Sequence, residues 1–104
     1  MTVRETSDPT EIADAIAAGG VVVVDFGAES WCVPCRRLRP HYDAAAEKLT
    51  DVTLIRADID DSPELASQYE IQGVPTLLAY KDGVLYGSVT ARTAVALVSE
   101  INSI

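Results

Sequence analysis

Six residues in the first quarter of the chain, Val21-Val22-Val23-Val24-Asp25-Phe26, are apolar without alternation apart from one aspartate. A strand wet on one face alternates polar and apolar side chains, so this run predicts a parallel strand covered on both faces and central in its sheet. The flanking segments read around it. Thr2 to Glu5 is a short first strand, and Asp8-Pro9-Thr10-Glu11 opens a helix with an aspartate cap, proline at the first helical position and glutamate three residues after the cap. That helix runs to Gly19-Gly20 and buries Ile12 and Ile16.

After the central strand, Leu38, Tyr42, Ala45, Ala46 and Leu49 recur at helical spacing, which predicts a helix from about Pro34 to Leu49, bent at Pro40 and closed by Thr50-Asp51. Val52 to Ala57 is the next strand. A short helix opening with Pro63 buries Leu65, Ala66 and Tyr69. Thr76 to Lys81 and Val84 to Ser88 flank Asp82-Gly83, a pair suited to a type I′ turn, and form a hairpin. A last helix, Arg92 to Ile101, lays Ala94, Val95, Leu97, Val98 and Ile101 along one side. The expected class is α/β, a mixed sheet of four to five strands flanked by four helices in the order β-α-β-α-β-α-β-β-α. Residues 1–104 are expected to form a single domain, burying roughly 65% of the surface that the unfolded chain exposes.

Both cysteines of the chain lie in Trp31-Cys32-Val33-Pro34-Cys35, where the central strand gives way to the following helix. Cys32 falls near the helix cap and Cys35 about one turn on, so the two sulfurs can meet in a reversible disulfide. The unpaired N–H groups and positive dipole end of the first turn favour a thiolate, which makes Cys32 the nucleophile. Cys35, deeper along the helix, is then placed to attack a mixed disulfide formed at Cys32. Cys32, Cys35 and His41 are too few ligands for a closed zinc site, so no metal is expected and His41 reads as a helix-surface residue. Tyr42 and Tyr69 read as packing residues.

The formal net charge of −8 argues against nucleic acid as a partner, because binding phosphate requires a basic face. Three of the eight Lys and Arg residues, Arg36, Arg37 and Arg39, nevertheless follow the second cysteine. They are either a solvated helix face or a local positive field that stabilises the thiolate and attracts acidic partners. No basic and apolar leader opens the sequence and no apolar run approaches membrane-spanning length. The expected compartment is the cytoplasm, where a CxxC pair reads as catalytic or metal-binding.

The order of elements, with WCxPC after the second strand, Asp25 inside that strand, Pro40 inside the next helix and Val74-Pro75-Thr76 before the hairpin, resembles the thioredoxin family over nearly the whole chain. The resemblance implies a thioredoxin fold, with Cys32 attacking, Cys35 resolving and Asp25 as a buried carboxylate that assists proton transfer near Cys35. Burial in an apolar strand independently predicts a raised Asp25 pKa. Arg56 occupies the place of a lysine beside this carboxylate, unless it faces outward. The resemblance also implies a cis bond before Pro75, with Val74 presenting its backbone to an extended substrate. Trp31, Val33, Pro34 and Gly87 complete the expected substrate surface, with Asp60 or Asp61 accepting the Trp31 N–H.

Three departures stand against the family pattern. Val33 replaces a glycine and adds an apolar knob beside Cys32. One extra residue in Gly27-Ala28-Glu29-Ser30 loosens the expected spacing from Asp25 to Cys35. If Gly87 is the family's active-site glycine, the hairpin is shortened by several residues. The expected activity is reduction of protein disulfides by dithiol–disulfide exchange, with no bound cofactor and a separate flavin-dependent thioredoxin reductase as electron source, the chain acting as a monomer. A more oxidising or partner-dedicated protein of the same fold, a redox-regulated interaction module without turnover, and a zinc module remain the alternatives.

Overall fold

The computed structural model describes residues 2–104. In chain order it contains β1 (Arg4–Glu5), α1 (Pro9–Ala17), β2 (Val21–Gly27), α2 (Val33–Lys48), β3 (Val52–Asp58), α3 (Glu64–Gln68), β4 (Thr76–Lys81), β5 (Val84–Val89) and α4 (Ala94–Asn102). The strands form one sheet in the order β1-β3-β2-β4-β5. The first three neighbours run parallel, and β4 and β5 are antiparallel additions. β2 is the middle strand and pairs along its length with β3 on one edge and β4 on the other, as its unbroken apolar run requires.

The pleat of β2 divides its side chains between two cores. Val22, Val24 and Phe26 join Ile55 and Ala57 beneath Ile12 and Ile16 of α1 and Leu65 of α3. Val23 joins Leu54, Leu77, Ala79 and Val89 beneath Leu38, Tyr42, Ala45 and Ala46 of α2 and Leu97 and Ile101 of α4. Because side chains alternate along a strand, Asp25 and Gly27 fall on the Val23 side, under α2. Helix α2 continues through Pro40, and the buried Tyr42 hydroxyl donates to the carbonyl oxygens of Val23 and Ile55, each at 3.0 Å. This ties α2 to the β2–β3 pair.

Local signals placed the elements well, with differences at their edges. The first strand is two residues rather than four. In α3 only Leu65 is fully buried, whereas Ala66 and Tyr69 are half-covered. Val95 was expected against the sheet but is 84% exposed. With Thr93 capping α4 through the Ala96 N–H, the inward stripe runs through Leu97 and Ile101, four residues apart, and Val95 falls outside it. Asp82 and Gly83 have φ of 52° and 85°, the two positive values that a type I′ hairpin turn needs. No helix among the described residues is long and apolar enough to cross a membrane.

Candidate active site

Cys32 is the N-cap of α2, in extended conformation (φ −91°, ψ 101°), and its sulfur accepts from the Cys35 N–H at 3.2 Å. A cap residue and the third residue of the first turn face one another, which brings the Cα atoms to 5.2 Å with the sulfurs bonded as a disulfide. Both cysteines are buried, at 4% and 3% exposure, so position in the turn rather than exposure distinguishes them. On the surface beside them lie Trp31, Val33 and Pro34.

The extra residue before Trp31 does not separate Asp25 from Cys35. β2 extends to Gly27, and the chain then turns tightly, with the N–H groups of Trp31 and Cys32 both donating to the Ala28 carbonyl at 3.3 and 2.9 Å. Ser30 is displaced to the exposed outside of this turn. A β-carbon on Gly27 would lie 3.4 Å from the Cys35 sulfur and 3.9 Å from Asp25 Oδ1, so both groups border the space that this glycine leaves open.

Asp25 is buried, and burial pushes its pKa from 3.8 up to about 7, with Arg56 as the chief opposing charge. Its Oδ1 has no hydrogen-bond partner. Arg56 is register partner of Asp25 across β2 and β3 and is buried rather than outward-facing. Its guanidinium pairs elsewhere, Nη2 with Asp43 and Nη1 with Glu5 Oε1 at 3.4 Å. A cavity of about 370 Å³ touches Asp25, Gly27, Cys35 and Arg56 and has room for water beside the carboxyl.

On the other side of the disulfide, the Val74–Pro75 bond is cis, and Val74 and Ile59 pack against Ala28, Cys32 and Cys35. Trp31 is 60% exposed, and its Nε1–H donates to Asp60 Oδ2 at 2.8 Å. Asp58, which the sequence did not single out, braces this wall from both ends: it accepts from the Glu29 N–H at 3.2 Å and the Asp60 N–H at 2.8 Å. Its position at the end of β3, level with Gly27, was its only sequence signal. His41 is exposed on α2, and its Nδ1 accepts from the Ala94 N–H at 3.2 Å.

Gly87 is not a residue of this site. It pairs with Ala79 inside β5, and the strand continues to pair Val89 with Leu77, so the hairpin is not cut short. The register places Ala91 level with Pro75, and Gly87 lies roughly 13 Å along the strand from that level. The residue that reaches the loop is Arg92, whose Nη2 donates to the Pro75 carbonyl at 3.5 Å. A bulge at Tyr86, between the Ala79 and Tyr80 pairs, accounts for one residue of this displacement by setting Gly87 opposite Ala79 rather than Leu78, and the rest is the length of strand that runs on past Gly87 to Val89.

The family model for thioredoxin matches residues 3–103. The chain belongs to the thioredoxin family. It is 49% identical over 71 residues to a thioredoxin of Chlamydia trachomatis, 68% of each chain, and 31% identical over 96 residues to the mitochondrial thioredoxin-3 of Saccharomyces cerevisiae, 92% of this chain and 75% of that one. The solution structure of oxidised thioredoxin from Plasmodium falciparum superposes with a TM-score of 0.85 at 29% identity, covering 98% of this chain and 97% of that one. With its CxxC pair at disulfide distance, this member of the thioredoxin family is a thiol–disulfide oxidoreductase, with disulfide-bearing proteins as substrates and a reductase as partner.

Proposed function

We propose that the chain works chiefly as a reductant of protein disulfides in the cytoplasm, as a single-domain monomer recharged by a flavin-dependent reductase. The observation that carries the roles is the cap position of Cys32, where the sulfur accepts the Cys35 N–H at the positive end of α2. The reduced Cys32 thiolate attacks one sulfur of a substrate disulfide, and the other substrate sulfur leaves as a thiolate and takes a proton. Asp25 then accepts the Cys35 proton, through water in the adjoining cavity. The Cys35 thiolate attacks the Cys32 sulfur, the bond from Cys32 to the substrate breaks, and the second substrate sulfur leaves as a thiolate that takes a proton from water as the disulfide of the enzyme closes. Two electrons have passed to the substrate.

Trp31, Val33, Pro34, Val74 and Pro75 form the proposed docking surface, on which an extended substrate segment pairs with the Val74 backbone. Cys35→Ser is expected to trap substrate proteins covalently on Cys32, detected as reducible adducts in a gel. Equal trapping by Cys32→Ser would reverse the two roles. A second reading, a more oxidising or partner-dedicated protein, is favoured by Val33, which is 45% exposed beside the disulfide where the family pattern has glycine. Measuring the reduction potential of the chain and of Val33→Gly separates the two readings.

A further inference from the structure

We propose that the groove between α2 and the Pro75 loop is a subsite for a carboxylate side chain, a glutamate or aspartate of the substrate protein close to its disulfide. This rests on the reading of the chain as a reductant of protein disulfides. The groove has a volume of about 270 Å³ and is lined by Pro34, Arg37, Leu38, His41, Pro75 and Arg92. Pro34 lies between the two cysteines and Pro75 follows Val74, which packs on them, so a segment attached to Cys32 passes the mouth of the groove. The lining holds two arginines, a histidine and no acidic side chain.

That composition runs against the rest of the molecule, in which 16 Asp and Glu oppose 8 Lys and Arg. Of the arginines expected to form a positive field, Arg39 is taken by Glu5 and Glu29. Arg37 and Arg92 have no carboxylate partner among the described residues. Arg92 is also held in place: Nη1 donates to the carbonyls of Val89 at 3.1 Å and Ala91 at 2.9 Å, and Nη2 to that of Pro75 at 3.5 Å. Carbonyl oxygens fix a guanidinium without cancelling its charge, and of its five N–H donors at least two stay available. His41 accepts at Nδ1 from Ala94, which leaves the Nε2–H of the neutral ring as a donor.

An apolar floor of Pro34, Leu38 and Pro75 under a fixed and a free guanidinium fits a short methylene stem ending in a carboxylate. In a chain with net charge −8, which repels acidic proteins at long range, such a groove confers selection among them by where their acidic residues lie.

The test uses two disulfide-linked model peptides that differ only in glutamate or glutamine on either side of the cysteine, with the pre-reduced protein at low and high salt. The glutamate peptide is expected to be reduced about tenfold faster at low salt, with the ratio falling toward one at high salt and in an Arg37→Gln, Arg92→Gln double variant. Arg37→Gln alone, at a side chain that makes no hydrogen bond among the described residues, is expected to lose part of the ratio without disturbing the fold. Equal rates for the two peptides with the wild-type chain, or a ratio that survives in the variants, would overturn the subsite. A serine version of the glutamate peptide is followed by chemical shifts of the oxidised protein. If neither disulfide peptide is reduced yet the serine peptide shifts His41 and Arg92, the reductant reading fails and the subsite stands. If it shifts neither residue, the subsite fails.

Discussion

Asp25 is a buried carboxyl in the middle strand with one oxygen unpartnered, a placement that costs free energy when the group is charged. Its raised pKa has a definite sign for stability. Below the ordinary value of 3.8 the group is neutral in folded and unfolded chains alike. Between 3.8 and about 7 the unfolded chain releases a proton that the folded one keeps, so stability falls as pH rises through this window and the loss is complete above it. Asp25→Asn is therefore expected to stabilise the protein by about 4 kcal/mol near pH 8 and by little near pH 3, on the scale of about 1.36 kcal/mol per pKa unit. Urea unfolding at both pH values checks this, and an equal effect at the two would refute a raised pKa. The same substitution is expected to slow resolution of the mixed disulfide by about a hundredfold and to abolish its rise with pH through neutrality, followed as thiol release.

The helices α1, α2 and α4 begin where a side chain replaces a missing backbone partner. Asp8 accepts from the N–H groups of Thr10 at 2.8 Å and Glu11 at 3.4 Å, and Pro9 has no N–H to satisfy. Asp8→Ala is expected to cost about 1 kcal/mol in thermal or chemical unfolding while leaving disulfide reduction unchanged, because α1 covers the sheet face opposite the cysteines. At α2 the cap is Cys32 itself, so the group that starts the helix is also the reactive sulfur. In β5 the element is governed by its pairing: past a one-residue bulge at Tyr86, Gly87 sits opposite Ala79 inside the strand, and the chain runs on to Val89 before Arg92 reaches Pro75.

At the scale of the molecule, two cores lie on opposite faces of one sheet, α1 and α3 over one and α2 and α4 over the other. Ile12→Ala and Leu97→Ala remove fully buried side chains from different layers, and each is expected to cost about 2–5 kcal/mol. The side chains sit across the sheet and share no partner, so the double variant is expected to equal their sum within about 0.5 kcal/mol. Denaturant unfolding of the four proteins checks it, and a larger deviation would show that the layers repack together.

What the chain determined by itself was what a few neighbouring residues decide: an unbroken apolar run makes a central strand, Asp8-Pro9 starts a helix, Asp82-Gly83 turns a hairpin, and two cysteines one turn apart meet at a cap. Each rests on local backbone geometry, which acts over three or four residues. The tertiary structure alone decided that Arg56 is buried yet bound to Asp43 and Glu5, that Asp25 and Cys35 border Gly27 despite the lengthened loop, and that Arg92 rather than Gly87 faces Pro75. These relations join residues far apart in the chain through strand register, and a single bulge or displaced loop residue changes them without altering any local signal.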